Sequence, residues 1–237
     1  SESEVTVAQY RVCVEAGYCS EPNTGDYCNW SSLSGFKENH PINCLDWGQA
    51  RTFAIWLGGD LPTQSQWELA AEVGKNVYSG SNEIDEVAWY EDNNKNNIGT
   101  QSVKKKNPNS YGLFDMSGNV WEWLLDEVPH FTNLSEADWR KAPWDNFLCR
   151  PFCKMSLHAL RGGGWDSSVW AVNLTYRNYD MSFSKGTSLG FRVVRTLESS
   201  SIDDASTEKL KKAEKLKKAE RLKEAERLKE AEKLIEA

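Results

Sequence analysis

Residues 111–123 read Tyr-Gly-Leu-Phe-Asp-Met-Ser-Gly-Asn-Val-Trp-Glu-Trp. The stretch contains two glycines, and glycine favours turns because it tolerates backbone conformations that other residues avoid. The residues at 120–125 are mostly of the β-branched, aromatic and large apolar types that strands favour. We therefore expect a turn that leads into a core strand, with Trp121 and Trp123 packed inside the protein.

The polar atoms of the same stretch also suit a hard cation. Gly118 and Val120 can offer backbone carbonyl oxygens, and Glu122 can offer its carboxylate. Calcium takes oxygen ligands of these two kinds in proteins. These three residues are therefore candidate calcium ligands. The alternative is that the stretch forms only the turn and the strand, which need no metal.

Three short helices are predicted upstream by a shared start signal. In each, Thr or Asp is followed three residues later by Gln, so that the two side chains can bind free N–H groups at the helix start. The pairs are Thr6 with Gln9, Asp46 with Gln49, and Thr63 with Gln66. A glycine suited to ending a helix follows each one, at positions 17, 58 and 74. The buried face of the second helix should consist of Ala50, Phe53, Ala54 and Leu57.

Short strands are expected in the second half of the chain. Besides 120–125, the candidates are 111–114, 159–161 and 191–195. Residues 75–110 are polar and typical of loops. Early helices and late short strands, separated by much irregular backbone, indicate an α+β domain rather than alternating strand and helix units.

Six cysteines indicate disulfide bonds. Four of them fall within the first 44 residues, in a stretch rich in Gly, Pro, Asn and Ser, and no two have the Cys-Xaa-Xaa-Cys spacing of many zinc sites. The six are Cys13, Cys19, Cys28, Cys44, Cys149 and Cys153. Stapled loops of this kind form in oxidising compartments, so we expect an exported protein whose signal segment is absent from this chain. The alternative is six free thiols in a cytosolic protein.

Charge and composition exclude several classes of protein. The 237 residues carry a net charge of −7, but 208–237 hold 11 Lys and Arg and 8 Glu, so 1–207 carry −10. An acidic body repels a phosphate backbone, which argues against a nucleic-acid partner. The 39% of hydrophobic residues, with 11 Trp, support a core rather than disorder. No apolar run approaches the roughly 18–20 residues that a membrane span needs.

The C-terminal residues form a different kind of sequence. From 208 to 237, Leu recurs every six residues and Ala recurs midway, so the apolar positions spiral around a helix instead of forming a seam. High helix propensity and Glu–Lys pairs four residues apart predict a solitary charged helix about 45 Å long. We therefore expect a domain at 1–198, a linker at 199–207 and a helical tail at 208–237. The tail could act as a spacer or as an arm that docks onto a partner.

Six ordered motifs together resemble the formylglycine-generating enzyme (sulfatase-modifying factor) family. They are Glu-Val-Thr-Val-Ala-Gln-Tyr at 4–10, Pro-Ile-Asn-Cys-Leu-Asp-Trp at 41–47, Leu-Pro-Thr-Gln-Ser-Gln-Trp-Glu at 61–68, the stretch 111–123, Leu-Arg-Gly-Gly-Gly-Trp at 160–165 and Leu-Gly-Phe-Arg at 189–192. The resemblance covers residues 4 to about 196. It implies a C-type-lectin-like fold with little regular structure. It also implies bound calcium, with Gly118, Val120 and Glu122 as ligands.

The catalytic cysteines of that family are missing. The family's oxidase binds copper through two cysteines, one two residues after the Trp of its Arg-Gly-Gly-Ser-Trp motif and one five residues further on. Here those positions are Ser167 and Val172, and neither a hydroxyl nor an isopropyl group can hold Cu(I) as a thiolate does. We therefore expect no bound copper and no catalysis. Rescue of a copper site by Cys149 and Cys153 is the alternative, although their spacing is more typical of a loop disulfide.

The resemblance places residues 165–188 on the family's substrate-facing surface. This segment also resembles the variable segment of retroelement-diversified lectin-like proteins, which lies between the same motifs. Rigid aromatic side chains among small polar ones are typical of adaptable binding surfaces. The candidate ligand-binding residues are Asp166, Ser167, Trp170, Tyr179 and Phe183. The alternative is that Trp165 and Trp170 are core residues and the rest is ordinary loop.

These patterns favour an exported, non-catalytic recognition or assembly module that binds a protein or glycan ligand through 165–188. One alternative is a thiol-directed, copper-dependent oxidase of the formylglycine-generating type. A second alternative is a structural subunit of a surface filament or layer. It rests on the rod-like tail and on the shortness of the sequence before Glu4, where family members carry a further strand.

Overall fold

The computed structural model describes residues 1–72, 74–96, 98–128 and 156–195. Within it, Ser1–Arg195 forms one compact unit. The predicted linker at 199–207, the predicted helix at 208–237, and both Cys149 and Cys153 lie outside the described residues. The predicted domain boundary at residue 198 therefore stays a prediction.

All three predicted helix starts are confirmed. The helices are α1 (Val7–Glu15), α2 (Trp47–Trp56) and α3 (Gln64–Ala70), and a single turn, α4 (Ile84–Val87), comes later. Each of the first three has a complete capping box, with Thr6, Asp46 and Thr63 as the N-caps. The predicted face of α2 is correct except at Leu57, which caps the C-terminus of the helix and is 54% exposed.

A four-stranded sheet forms the centre of the fold. Its strands are β3 (Trp121–Val128), β4 (Leu157–Arg161), β5 (Asn178–Met181) and β6 (Leu189–Gly190), in the order β5-β4-β3-β6. The β3–β4 and β4–β5 pairs are antiparallel, whereas β3 and β6 run parallel. A separate parallel pair joins β1 (Ala88–Trp89) to β2 (Ser117–Gly118).

Two strand predictions are confirmed, because β3 contains most of 120–125 and β4 contains 159–161. The prediction of a strand at 111–114 is wrong. The side chain of Asn109 accepts hydrogen bonds from the backbone of Tyr111 (3.0 Å) and Leu113 (3.1 Å), which folds the segment into a turn. Residues 191–195 form no strand, and Val194 makes an isolated bridge to Asp60.

The main core lies between helices α1 and α2 and the sheet. Tyr10 stacks on Phe53 (5.4 Å between ring centroids), and Phe191 meets both rings edge-on. Trp121 and Trp123 belong to the same buried cluster, as the sequence predicts. The helices and short strands therefore form the α+β domain expected from the sequence.

Disulfide bonds close two loops near the N-terminus. Cys13 pairs with Cys19, and Cys28 pairs with Cys44. No cysteine in the described part of the chain is free. Among the described residues, no helix is long and apolar enough to cross a membrane.

Candidate functional site

Ser167 lies inside a tight turn that follows strand β4. Its hydroxyl accepts a hydrogen bond from the backbone N–H of Gly164 (2.9 Å), and its carbonyl accepts one from the N–H of Glu91 (3.0 Å). The residue is only 9% exposed. The sequence placed Ser167 in a ligand patch, but in the structure its hydroxyl holds the turn and little of its surface is exposed.

Val172 occupies the core. It is fully buried in a cluster that also contains Tyr78, Val87, Ala88 and Tyr90. Its side chain lies so close to Gly163 that a β-carbon at that glycine would come within 2.5 Å of it. At both positions where the family has catalytic cysteines, the side chain therefore has a structural role.

The predicted aromatic residues of the segment 165–188 are exposed. Trp170 and Phe183 are each 61% exposed and Tyr179 is 41% exposed, while Asp166 is also at the surface. The alternative in which Trp170 belongs to the core is therefore wrong. Its ring contacts Tyr176 edge-on (5.0 Å between centroids), whereas Tyr179 and Phe183 contact no other aromatic ring of a described residue.

Arg161 anchors the backbone beneath Trp170. Its guanidinium lies over the ring of Trp67 and donates hydrogen bonds to the carbonyls of Leu174 (2.9 Å) and Tyr176 (2.6 Å). It also pairs with Glu68, whose carboxylate binds the exposed Arg177 as well (2.9 Å). Sequence reasoning missed this role, because the motif at 160–165 does not show which carbonyls the side chain reaches.

Tyr27 contributes an unpredicted aromatic side chain to this region. Its ring is 46% exposed and lies 5.5 Å from the ring of half-buried Trp165, at an interplanar angle of 38°. The side-chain amide of Asn43 donates to the carbonyls of both Tyr27 (2.8 Å) and Thr187 (2.5 Å). It therefore ties the loop closed by Cys28–Cys44 to the segment 165–188. No sequence signal indicated this contact between residues 138 positions apart.

The geometry around Glu122 does not match the predicted calcium site. Both carboxylate oxygens are bound by Arg192, at 2.6 Å each, and one also accepts from the indole N–H of Trp67 (2.8 Å). Burial opposes the charge on Arg192, but Glu122 outweighs it, and the pKa of Arg192 is raised. A dication would be repelled by the guanidinium, so Glu122 does not fit as a calcium ligand in this arrangement.

The other two predicted ligands also have structural roles. Gly118 has a φ of +80°, and a β-carbon there would come within 2.2 Å of the carbonyl oxygen of Trp89. The N–H of Val120 donates to the carboxylate of Glu4 (3.0 Å). Within the described residues, no group of three or more His, Cys, Asp or Glu could hold a metal ion. Calcium binding therefore stays a prediction from the sequence, and the ion pair of Glu122 with Arg192 does not favour it.

Two more buried carboxyl groups lie near this ion pair. Burial raises the pKa of Glu4 well above its usual value, and the charges of Asp115 and Glu122 raise it further. Burial likewise raises the pKa of Asp115 to about 6, although the backbone N–H of Lys104 donates to it (2.8 Å). These groups bind backbone and neighbouring side chains, and they lie inside the fold rather than at the exposed segment 165–188.

Comparison with known proteins identifies the domain. The family model of the sulfatase-modifying factor enzyme 1-like domain matches residues 1–197. The formylglycine-generating enzyme of Thermomonospora curvata is 32% identical, over 60% of this chain and 46% of its own length. The chaperone protein LppX of Paenibacillus barcinonensis is 33% identical, over 59% of this chain and 50% of its own length. The inactive C-alpha-formylglycine-generating enzyme 2 of Bos taurus is 29% identical, over 67% of this chain and 52% of its own length.

Solved structures confirm the predicted fold. CarF superposes with a TM-score of 0.63 and 22% identity, over 82% of this chain and 84% of its own. Treponema denticola variable protein 1 superposes with a TM-score of 0.58 and 22% identity, over 81% of this chain and 82% of its own. The chain spans about half the length, or less, of the curated relatives it matches. By the match over residues 1–197, this chain belongs to the sulfatase-modifying factor enzyme 1-like domain family.

Proposed function

We propose that this domain is a non-catalytic recognition module that binds a protein or glycan ligand through the surface of residues 165–188. One observation carries the proposal. Ser167 and Val172, at the positions of the family's catalytic cysteines, are buried and structural, while Trp170, Tyr179 and Phe183 are exposed on the same segment. The segment therefore has the side chains of a contact surface without the thiolates of a copper site.

The exposed aromatic residues are suited to binding because of their size and rigidity. An aromatic side chain buries on the order of 150–250 Å² and loses little rotamer freedom on contact, so a few of them can dominate an interface. Trp170 is supported from below by Tyr176, and the backbone of Tyr176 is held by Arg161. This support favours a preformed surface, which lowers the entropy lost on binding.

The name of one relative supports a scaffold that works without oxidase chemistry, because that protein is named an inactive formylglycine-generating enzyme. The two disulfides support export to an oxidising compartment, which we propose as the location of the protein.

A binding panel tests the proposed surface. Immobilised glycans and surface-displayed peptides would be screened with wild type, with Trp170→Ala/Tyr179→Ala/Phe183→Ala and with Tyr18→Ala/Leu33→Ala/Ile55→Ala. The control residues are also large, apolar and exposed, at 68%, 76% and 57%, but lie outside the segment. We expect the first triple variant to lose a ligand that the control retains. Equal binding by both variants would contradict the proposal.

Copper uptake tests the alternative of a thiol-directed oxidase. Wild type should take up no Cu(I) in a competition titration, whereas Ser167→Cys/Val172→Cys, which restores both thiols, serves as the comparison. Tight uptake by wild type that disappears in Cys149→Ser/Cys153→Ser would favour the oxidase and overturn the proposal. Thiol counting on the denatured, unreduced protein would show in the same experiment whether those two cysteines are free.

A further inference from the structure

The ring pair of Tyr27 and Trp165 extends the candidate surface beyond residues 165–188. Tyr27 is nearly half exposed, and Trp165 is half-buried with its indole N–H bound to the carbonyl of Thr187 (3.2 Å). The backbone N–H of Trp165 also donates to the carbonyl of Asn119 (2.7 Å). The first bond orients the indole and the second holds the backbone that carries it, so that Tyr27 contacts a ring that is already held in place.

The position of Tyr27 is held just as firmly. Its φ of +62° lies in the left-handed region, which is unfavourable for a bulky residue. The amide of Asn43, which is fully buried, binds its carbonyl, and the adjacent Cys28 is linked to Cys44. Surrounding contacts therefore maintain a conformation that keeps the ring against Trp165 and exposed to solvent.

Three carboxylates without an ion pair among the described residues belong to neighbours of the two ring residues, either in sequence or through one backbone hydrogen bond. Asp26 precedes Tyr27, Asp166 follows Trp165, and the backbone of Glu91 is hydrogen-bonded to Ser167 (3.0 Å). All three are exposed, and none forms an ion pair with a residue that the structure describes. Lysines of the neighbouring segments bind other groups: Lys95 binds Asp92, Lys185 binds Asp46, and Lys37 binds the side-chain oxygen of Asn29.

We propose that the ring pair and these carboxylates form a docking surface for a basic segment of a partner protein, with a Lys or Arg side chain lying over the aromatic rings. The proposal deepens the proposed function, on which it rests, by choosing a cationic peptide over a neutral glycan. Aromatic faces attract cations, and unpaired carboxylates strengthen that attraction. The net charge of −10 on residues 1–207 would also steer a basic partner towards the domain.

Binding of a dye-labelled penta-arginine peptide, measured by fluorescence anisotropy at low ionic strength, tests this surface. Asp26→Asn/Glu91→Gln/Asp166→Asn should weaken binding about tenfold, since each exposed charge pair contributes a small amount. The matched control Glu15→Gln/Glu21→Gln/Glu83→Gln removes three exposed charges elsewhere and should change affinity little. Penta-glutamate should not bind.

Two variants of Tyr27 test how much its aromatic ring contributes to penta-arginine binding. Tyr27→Ala should weaken penta-arginine binding several-fold, whereas Tyr27→Phe, which keeps the ring, should bind like wild type. Equal loss in both charge triples would mean non-specific attraction and would overturn the proposal. So would binding of labelled cellopentaose in place of penta-arginine, or a dimer in sedimentation that Tyr27→Ala disrupts.

Failure of this inference can be separated from failure of the proposed function. If penta-arginine does not bind while Trp170→Ala/Tyr179→Ala/Phe183→Ala still abolishes binding to a glycan of the panel, only the basic partner is excluded. If wild type takes up Cu(I) through Cys149 and Cys153, the recognition module itself is excluded.

Discussion

Arg192 and Glu122 form a two-pronged ion pair inside the protein. The Nε and Nη2 atoms of Arg192 each donate to a different oxygen of Glu122 at 2.6 Å, and the two side chains are 3% and 0% exposed. Arg192 also donates to the carbonyl of Phe114 (3.0 Å), and Trp67 donates to Glu122 (2.8 Å). The pair therefore joins helix α3, the stretch 111–123 and the last described segment of the domain.

Removal of one partner should be more damaging than removal of both. Arg192→Met leaves the carboxylate of Glu122 buried without its counter-charge, and we expect it to lower the free energy of unfolding by about 3–5 kcal/mol. The double variant Glu122→Leu/Arg192→Met should recover much of that loss, because neither member of the pair is left buried without its counter-charge. Urea denaturation measures the free energy of unfolding of wild type, Arg192→Met and the double variant. A double variant less stable than Arg192→Met would contradict this explanation.

Asp115 should make the protein less stable as the pH rises through the weakly acidic range. Burial raises its pKa from 3.8 to about 6, so the folded state holds a proton that the unfolded state releases between these values. This proton stabilises the folded state fully below about pH 4. The stabilisation is lost as the pH approaches 6 and amounts to about 3 kcal/mol, at 1.36 kcal/mol per pKa unit. Asp115→Asn should flatten this part of the stability curve, because its amide oxygen can still accept from Lys104.

Urea titrations from pH 4 to 7 measure the difference in the free energy of unfolding between wild type and Asp115→Asn. This difference separates Asp115 from Glu4, whose pKa is also raised by burial. Asp26→Asn, which changes an exposed carboxylate, is the control and should follow wild type. A difference curve that stays flat over this range would show that Asp115 does not titrate as expected.

Calcium should have little effect on the stability of the domain. Arg192 already neutralises Glu122, so a dication would gain one carboxylate only by displacing a guanidinium that makes two hydrogen bonds to it. Thermal unfolding in excess CaCl₂ and in EDTA should therefore give the same Tm. A higher Tm with calcium that disappears in Glu122→Gln would restore the calcium site predicted from the sequence.

Local signals in the sequence predicted local structure well. The start of α1 depends on Thr6 and Gln9 alone, three residues apart, and the structure confirms it. Residues 191–195 have a strand-like sequence, but a strand needs a partner. The segment pairs with two different stretches, since Phe191 accepts from the N–H of Val5 (2.9 Å) and Val194 bridges to Asp60, and no local pattern reveals either partner.

The same distinction holds at the candidate surface. The exposure of Phe183 could be predicted, because it stands between Ser182 and Ser184. The exposure of Trp170 could not, because its neighbours Val169 and Ala171 are apolar and a core position was equally consistent with the sequence. The burial of Ser167 could not, since it depends on a turn to Gly164 and on a bond from Glu91, 76 positions away. The contact of Tyr27 with Trp165 depends in the same way on the closure of the whole fold.

Arg161 should keep the backbone of the surface that carries Trp170 in its ordered conformation. Arg161→Met would leave the carbonyls of Leu174 and Tyr176 without their donor and Glu68 without its buried partner, at a cost of about 2–4 kcal/mol. Arg177→Met is the matched control, because Arg177 binds the same Glu68 but is 56% exposed. Its loss should cost under about 1 kcal/mol.

Hydrogen exchange separates this local role from general destabilisation. The amides of Ala171 and Tyr176 are hydrogen-bonded in turns of this segment, and the amide of Leu174 is bonded to the carbonyl of Val77. In Arg161→Met, these three amides should lose protection at denaturant concentrations where α1 remains protected. In Arg177→Met, both regions should exchange as in wild type. If protection instead fell equally in α1 and in the Trp170 segment, Arg161 would stabilise the domain as a whole. The ordered surface would then depend on Tyr176 and its packing against Trp121.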